Sequence, residues 1–157
     1  MATKISDHFT LEELTYSKTA KEKGLKNEPN AVQTVNLCRL IWLLVEPIRV
    51  AWGSGIDITS GFRGFQLEGS SSTSVHPQGL AVDMKPSNGR IVEFKKFVRD
   101  WLHENGAKYD QFIDEYRSGA QWVHLGLTNA AGKQRCQDLI TTDGKNYRLL
   151  PRWEKAA

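Results

Sequence analysis

The length, composition and charge of the chain are those of an ordinary globular protein. It has 157 residues, of which 39% are hydrophobic and 25% charged, so we predict a single domain over residues 1–157. The net charge is +3, and the basic residues form neither an arginine-rich run nor a ladder with aromatic residues. We therefore expect no nucleic-acid partner, and we expect a monomer.

The sequence also bears on the compartment in which the protein is made. Residues 1–9 lack the basic and then apolar layout of a signal peptide. The longest apolar run, 40–45, is too short to span a bilayer. We expect synthesis in a cytoplasm and no stable membrane insertion, so that another factor must release the protein if it acts outside.

Two helices are predicted in the first third of the chain. Thr10 begins a capping box that opens a short helix. Asn30 caps the longest helix, in which Pro47 should cause a kink or a restart and Gly53 should end the helix. Apolar residues recur there at helical spacing, which predicts a core helix: Val32, Val35, Leu37, Leu40, Ile41, Leu44, Val45 and Ile48.

Four strands are predicted from alternating or short apolar runs, at residues 56–60, 80–84, 110–116 and 121–127. The second and third strands are separated by a helix that Asn88 or Ser87 should cap and Gly106 should end.

The tail contains Asp143 followed by Gly144, a hairpin turn signal. Together these elements predict an α+β fold, in which helices pack against a small, mainly antiparallel sheet.

Three side chains suit a metal ion. His76 lies in a loop rich in Ser and Gly, Asp83 lies on a predicted strand seven residues later, and His124 lies on the last predicted strand. Two imidazoles and one carboxylate are a catalytic zinc donor set that leaves a fourth position for water. Gly79 lets the backbone turn between the first two ligands. If the three converge, we expect a metal-dependent hydrolase.

A general base is also expected in such an enzyme. A hairpin that turns at Ser118-Gly119 would place Glu115 opposite Trp122 and Ile113 opposite His124. Glu115 would then share a face with His124, while Asp114 would lie on the other face. A slip of one residue would exchange the two carboxylates. We predict Glu115 as the base; the alternative is a surface carboxylate beside a turn.

Other polar residues near these positions are candidate substrate contacts. Arg63 follows a predicted strand, where its guanidinium could bind a substrate carboxylate or a developing oxyanion, or form a surface salt bridge. Ser74 and Gln78 could contact the substrate or only order the loop. Trp122 could line a pocket or belong to the core.

At these residues the chain resembles the LAS-type zinc peptidases. This family includes zinc D-alanyl-D-alanine carboxypeptidases, D-Ala-D-Ala dipeptidases and bacteriophage L-alanyl-D-glutamate endolysins. Its Trp-x-His and Ser-Gly-Phe/Tyr-Arg motifs match residues 122–124 and 60–63. Its hallmark, Ser-x-His-x-x-Gly-x-Ala-x-Asp, is matched in full by Ser74, His76, Gly79, Ala81 and Asp83.

One branch of the family is matched more closely. It carries an Asp-Gln-hydrophobic-Ile-x-Glu strand before Trp-Val-His, a layout that residues 110–115 follow, and segments 9–14 and 44–49 also resemble it. The resemblance covers roughly residues 8–127, and we expect 128–157 to be a C-terminal extension of the same domain.

The resemblance implies a hedgehog/DD-peptidase-like fold and one Zn²⁺ ion held by His76, Asp83 and His124. It implies cleavage of an amide bond in the peptide stem of bacterial peptidoglycan. Arg63 would be a substrate or transition-state contact, and we expect further substrate contacts from a set of four residues: Ser74, Gln78, Gln121 and Trp122.

The chain departs from the family at two places. Several members carry an acidic base three positions before the last His, where this chain has Gln121. Either Glu115 takes over this role or the activity is lost. The loop 68–74 is rich in Ser and lacks an Asn-containing stretch that is common in relatives, which bears on bond specificity.

We expect a phage endolysin with L-Ala-D-Glu endopeptidase activity, made in the host cytoplasm and released to the periplasm or cell wall. One alternative is a D-Ala-D-Ala carboxypeptidase. Another is a catalytically inactive, metal-stabilised module that binds the cell wall or belongs to a virion.

Overall fold

A computed structural model describes residues 2–68 and 73–156. Six strands form one sheet in the order β1-β2-β4-β3-β5-β6. Only β3 and β5 pair in parallel, which confirms the predicted α+β fold with a mainly antiparallel sheet. The strands are β1 Ile56–Ser60, β2 Ala81–Pro86, β3 Gln111–Arg117, β4 Ala120–Gly126, β5 Gln137–Thr141 and β6 Arg148–Leu149.

The apolar core packs on one face of this sheet, and the other face carries the polar side chains of Asp83, His124 and Glu115 together with Ile113. Val82 and Met84 of β2 are fully buried in one apolar cluster with Phe94 and Val98. The helices are α1 Leu11–Thr15, α2 Lys18–Glu22, α3 Ala31–Leu40, α4 Glu46–Trp52, α5 Phe65–Glu68 and α6 Ile91–Glu104. Because side chains alternate along a strand, Asp83, which lies between Val82 and Met84, points to the other face.

The predicted starts of the first and longest helices are confirmed. The Thr10 hydroxyl accepts a hydrogen bond from the Glu13 backbone N–H, and the Thr10 backbone N–H donates one to the Glu13 carboxylate, which makes the capping box of α1. Asn30 and Gln33 form the same reciprocal pair at the start of α3. Each box satisfies backbone N–H groups that have no partner within the helix.

The longest helix runs through three segments, α3, a π-helical turn at Ile41–Val45, and α4. In the turn, the backbone N–H of Glu46 bonds to the carbonyl of Ile41, five residues earlier. We attribute the wide turn to Pro47, which lacks an N–H and in a regular helix would clash with a preceding carbonyl. Gly53, with φ of 74°, ends the helix as predicted.

The inner face of this helix starts later than the sequence pattern suggests, because Val32 and Val35 are exposed. By length and composition alone, the 22-residue helix Ala31–Trp52 is long and apolar enough to cross a membrane, which the short run 40–45 did not indicate. A core helix passes the same test. Its apolar residues that lie in the core are Leu37, Leu40, Ile41, Leu44, Val45 and Ile48.

Helix α6 begins without the predicted side-chain cap. Its N-cap is Arg90, which makes no capping bond. The Asn88 side chain accepts from the N–H of Arg90, which precedes the first helical residue Ile91. The Ser87 hydroxyl donates to Asp57 instead. The prediction of a cap at 87 or 88 is therefore wrong. The helix ends before Gly106, whose φ is 58°, as predicted.

The last part of the chain adds β5 and β6 to the sheet. The predicted turn at Asp143-Gly144 lies in the loop 142–147 that joins these two antiparallel strands. The parallel pairing of β5 with β3 was not predicted. Neither was α5, a single helical turn in the Ser-rich loop, of which residues 69–72 lie outside the described part of the chain.

Candidate active site

Three predicted ligands converge on the polar face of the sheet. Asp83 and His124 are direct cross-strand partners on β2 and β4, and His76 lies in the 3-10 turn His76–Gln78 just before β2. One donor atom from each residue lies within 4.8 Å of the others. Asp83 Oδ1 is 3.5 Å from His76 Nε2 and 3.0 Å from His124 Nδ1.

Neighbouring backbone fixes the orientation of His76. Its Nδ1 lies 2.7 Å from the carbonyl oxygen of Gly61. Because a carbonyl can only accept, Nδ1 donates to Gly61, and Nε2 is the ring nitrogen that faces Asp83. The N–H of Arg63 donates to the His76 carbonyl at 3.4 Å, so the segment after β1 holds the ring and the backbone of this residue.

A close contact explains why residue 79 is a glycine in the loop that carries His76. Its φ is +72°, and a Cβ atom there would lie 2.5 Å from the backbone oxygen of Gln33 on α3. Gln33 and Asn36 also donate side-chain hydrogen bonds to the carbonyls of Pro77 and Gln78. The loop that presents His76 is therefore packed directly on α3, and only glycine fits at the contact.

The electrostatics of the cluster favour an ionised Asp83. Burial by itself raises the pKa of this carboxyl, but the charge of His76 and hydrogen bonds from both imidazoles outweigh it and hold the pKa well below its usual value. A metal ligand must be deprotonated. The two imidazole nitrogens and the one carboxylate oxygen therefore suit a zinc ion.

The hairpin register predicted from the turn is confirmed. Glu115 pairs with Trp122 and Ile113 with His124, and the turn residues Ser118 and Gly119 both have positive φ. Glu115 is buried and lies on the face of the predicted metal ligands Asp83 and His124. Its role as the base stays a prediction.

The neighbouring carboxylate, Asp114, lies on the opposite face of the sheet. Lys95 Nζ of α6 is 2.5 Å from Asp114 Oδ1 and donates to the side-chain oxygen of Gln121 at 2.8 Å. Gln121 therefore points toward α6 at the rim, although it also borders the pocket described below.

No sequence pattern indicated the groups that hold Glu115. The Trp122 indole donates to Glu115 Oε2 at 2.7 Å, and Arg117 Nη2 donates to Oε1 at 2.9 Å. The guanidinium carbon lies 5.4 Å from the centre of the Trp122 ring, within cation–π range. Each carboxylate oxygen keeps a free lone pair, so Glu115 can still accept a proton.

A pocket of about 580 Å³ opens beside Asp83, one of the three predicted metal ligands. Lys85 lies two residues after Asp83 on β2 and therefore on the same face, and it is exposed. Arg63 and Gln78 are partly buried in the adjoining segments, and Ser74 accepts a bond from the His76 N–H. The lining residues are Thr59, Ser60, Asp83, Lys85, Pro86, Gly89, Ile91, Gly119, Ala120, Gln121 and Trp122.

Comparison with known proteins assigns the family. A family model described as Peptidase M15 matches residues 7–125, which is more than half of the chain and includes all three predicted ligands and Glu115. No curated protein matches the chain. The chain therefore belongs to the Peptidase M15 family of zinc peptidases, as its resemblance to the LAS-type enzymes predicted.

Proposed function

We propose that the protein hydrolyses an amide bond in the peptide stem of bacterial peptidoglycan, and that this bond joins L-Ala to D-Glu. The observation that carries the proposal is the His76, Asp83 and His124 cluster, which lies two residue pairs along the hairpin from the buried carboxylate of Glu115. A single zinc ion at the cluster would polarise the scissile carbonyl and lower the pKa of water.

Glu115 acts as the general base and then as the general acid. One carboxylate oxygen takes a proton from the attacking water and passes it to the nitrogen of the departing amine. The bonds from Trp122 and Arg117 restrict the carboxylate to one orientation. Burial excludes competing water from the base, and both bonds still leave an oxygen lone pair for the proton.

Lys85 selects substrates that carry a carboxylate near the cleaved bond. Lys85 lies opposite Asp57 on β1 and two residues after Asp83 on β2, and it lines the pocket together with Trp122. Among the described residues, the Lys85 ammonium has no ion pair or hydrogen bond, and its cross-strand neighbour Asp57 accepts from Ser87 instead. The α-carboxylate of D-Glu is a suitable partner.

A second candidate is a D-Ala-D-Ala carboxypeptidase. The same cation favours it, because a terminal carboxylate would suit Lys85 equally well. In the endopeptidase, by contrast, the peptide continues beyond the residue that Lys85 binds.

We propose that the biological setting is phage lysis, with synthesis in the host cytoplasm and action on the wall after release. Purified protein added to permeabilised bacteria should then lower the turbidity of the suspension. Intact turbidity, together with cleavage of isolated peptidoglycan, would favour wall maintenance over lysis.

The decisive experiment is digestion of purified peptidoglycan by the zinc-loaded protein, followed by mass analysis of the fragments. New amino termini at D-Glu support the endopeptidase, and release of D-Ala alone supports the carboxypeptidase. If zinc is bound and the fragments are unchanged, the result supports an inactive wall-binding module. The presence of Gln121 where several family members carry an acidic base would then explain the loss of activity.

A further inference from the structure

The loop 142–147 lies beside Glu115, outside the family match. The Peptidase M15 match ends at residue 125, but β5 then pairs in parallel with β3, and its last residue, Thr141, is the register partner of Glu115. The negative charge of Glu115 also contributes, after burial, to a raised pKa of Tyr147. The loop between β5 and β6 is therefore next to the catalytic carboxylate.

Hydrogen bonds within the loop fix its conformation. The carboxylate of Asp143 accepts from the backbone N–H groups of Lys145 and Asn146 at 2.8 and 2.7 Å. The Thr141 hydroxyl accepts from the N–H of Gly144 at 2.9 Å. These bonds hold Gly144 at a φ of +70°.

Gly144 lies against the guanidinium of Arg117. A Cβ atom at Gly144 would lie 2.2 Å from both the guanidinium carbon and one terminal nitrogen of Arg117. The Arg117 side chain is 44% exposed. A long side chain with this exposure ordinarily samples many rotamers, so the loop restricts the guanidinium to the side of Glu115 and Trp122.

We infer that the loop 142–147 belongs to the catalytic centre, because it holds the Arg117 guanidinium against the Glu115 carboxylate. Arg117 is then a positioning residue for the base, and the segment after the family match completes the site. The inference rests on the proposed function, since Glu115 needs this support only if it transfers protons.

The test compares Gly144→Ala with Gly132→Ala. Both glycines have positive φ, +70° and +81°, so alanine strains either backbone in a similar way. At Gly144 the new methyl group meets the guanidinium, whereas at Gly132 nothing lies within 4 Å. The guanidinium ends a flexible side chain, so we expect Gly144→Ala to fold while Arg117 moves away from Glu115.

For the zinc-loaded protein, we expect kcat of Gly144→Ala to fall roughly 10–100-fold, since small misplacement of a reacting group has effects of this size. KM should not change, because the contact acts on the transition state. Gly132→Ala should keep both values. Arg117→Met should lose as much activity as Gly144→Ala, and Arg117→Lys should recover part of it through its charge.

A second readout does not depend on activity. In metal-free protein, the NMR signals of the Arg117 guanidinium should be shifted by the Trp122 ring, and the Nη2 protons, which bond to Glu115, should be slow to exchange. Both properties should persist in Gly132→Ala and vanish in Gly144→Ala.

Three results would overturn the inference. The first is wild-type kcat in Gly144→Ala, and the second is an equal loss in Gly132→Ala, which would reduce the effect to backbone strain. In both of these the active wild type leaves the proposed function standing. The third is a zinc-loaded wild type that cleaves nothing, which removes the proposed function as well.

Discussion

Two adjacent carboxylates differ in their surroundings because side chains alternate along β3. Glu115 lies on the face of the predicted metal ligands, and Asp114 pairs with Lys95 on the helical face. Glu115→Gln should therefore lower kcat roughly 10²–10⁴-fold, the usual contribution of a general base. The zinc content of the variant, measured on the same sample as kcat, should equal that of the wild type.

Asp114→Asn is the matched control for this change. It removes one partner of a partly buried ion pair, so we expect a loss of about 1 kcal/mol in the free energy of unfolding and an unchanged kcat. If the two variants exchanged these phenotypes, Asp114 would be the base and the assignment of Glu115 would be wrong.

The second residue-scale prediction concerns Lys85 and the substrate carboxylate. Lys85→Ala should raise KM roughly tenfold for stem peptides with a free D-Glu α-carboxylate, because a charged hydrogen bond is lost. Peptides amidated at that carboxylate should bind both proteins equally weakly. The exposed Lys133, outside the pocket lining, offers the control Lys133→Ala. An equal KM increase with both substrates would exclude a contact to this carboxylate.

Residues that act through local sequence could be predicted, and those joined by tertiary packing could not. The placement of His76 and Asp83 follows from one loop and the strand after it, and that of Glu115 follows from the geometry of one hairpin. Arg117 and Gly144 are far apart in sequence and meet only because β5 pairs with β3. No local pattern indicates such a contact.

At the scale of elements, the loop 142–147 should respond to pH through Asp143. Backbone hydrogen bonds from Asn146 and Lys145 lower the pKa of this carboxyl below its ordinary value of 3.8. A lowered folded-state pKa stabilises the loop above the unfolded-state pKa, and this contribution is lost as the pH falls below about 4. Amide exchange of Lys145 and Asn146 should accelerate in that range.

Asp143→Asn provides the control for the pH effect, because an amide does not titrate between pH 2 and 6. Its loop amides should show no acceleration beyond the ordinary pH dependence of exchange. The same pH response in both proteins would assign it to another group.

The helices show which parts of an element can be read from sequence. Both ends of the long helix were predicted, because Asn30 and Gly53 act on nearby backbone. The π-helical turn before Pro47 was not, since proline allows either a kink or a wider turn and the packing of the core selects between them.

At the scale of the whole molecule, metal binding should contribute to stability. The ligands come from the loop before β2 and from two strands, so an ion at the cluster crosslinks separate elements. Zinc at a hundredfold excess over its dissociation constant should raise Tm by roughly 5–10 °C for a chain of this length. Thermal unfolding with and without zinc measures this shift.

Two variants make the thermal experiment specific. Asp83→Ala should abolish the zinc-dependent rise in Tm, and Glu115→Gln should keep it. A rise that survives in Asp83→Ala would mean that zinc binds elsewhere, which would contradict the assignment of His76, Asp83 and His124.

The topology of the whole sheet was predicted only in part. Antiparallel neighbours that follow each other in sequence, such as β3 and β4, are joined by a turn whose residues indicate the pairing. The parallel neighbour β5 follows β4 after the ten residues 127–136, and strand sequence alone does not specify which edge it joins.

The close packing of Gly79 on Gln33 has a consequence for protein engineering. A ligand loop seated within van der Waals distance of a helix cannot be transplanted by itself. A graft of residues 74–83 onto another sheet would also need a helix whose backbone contacts the loop as Gln33 does here. Without that contact, the position of His76 relative to the sheet would change. The transferable unit is the loop, its strand and the helix beneath them.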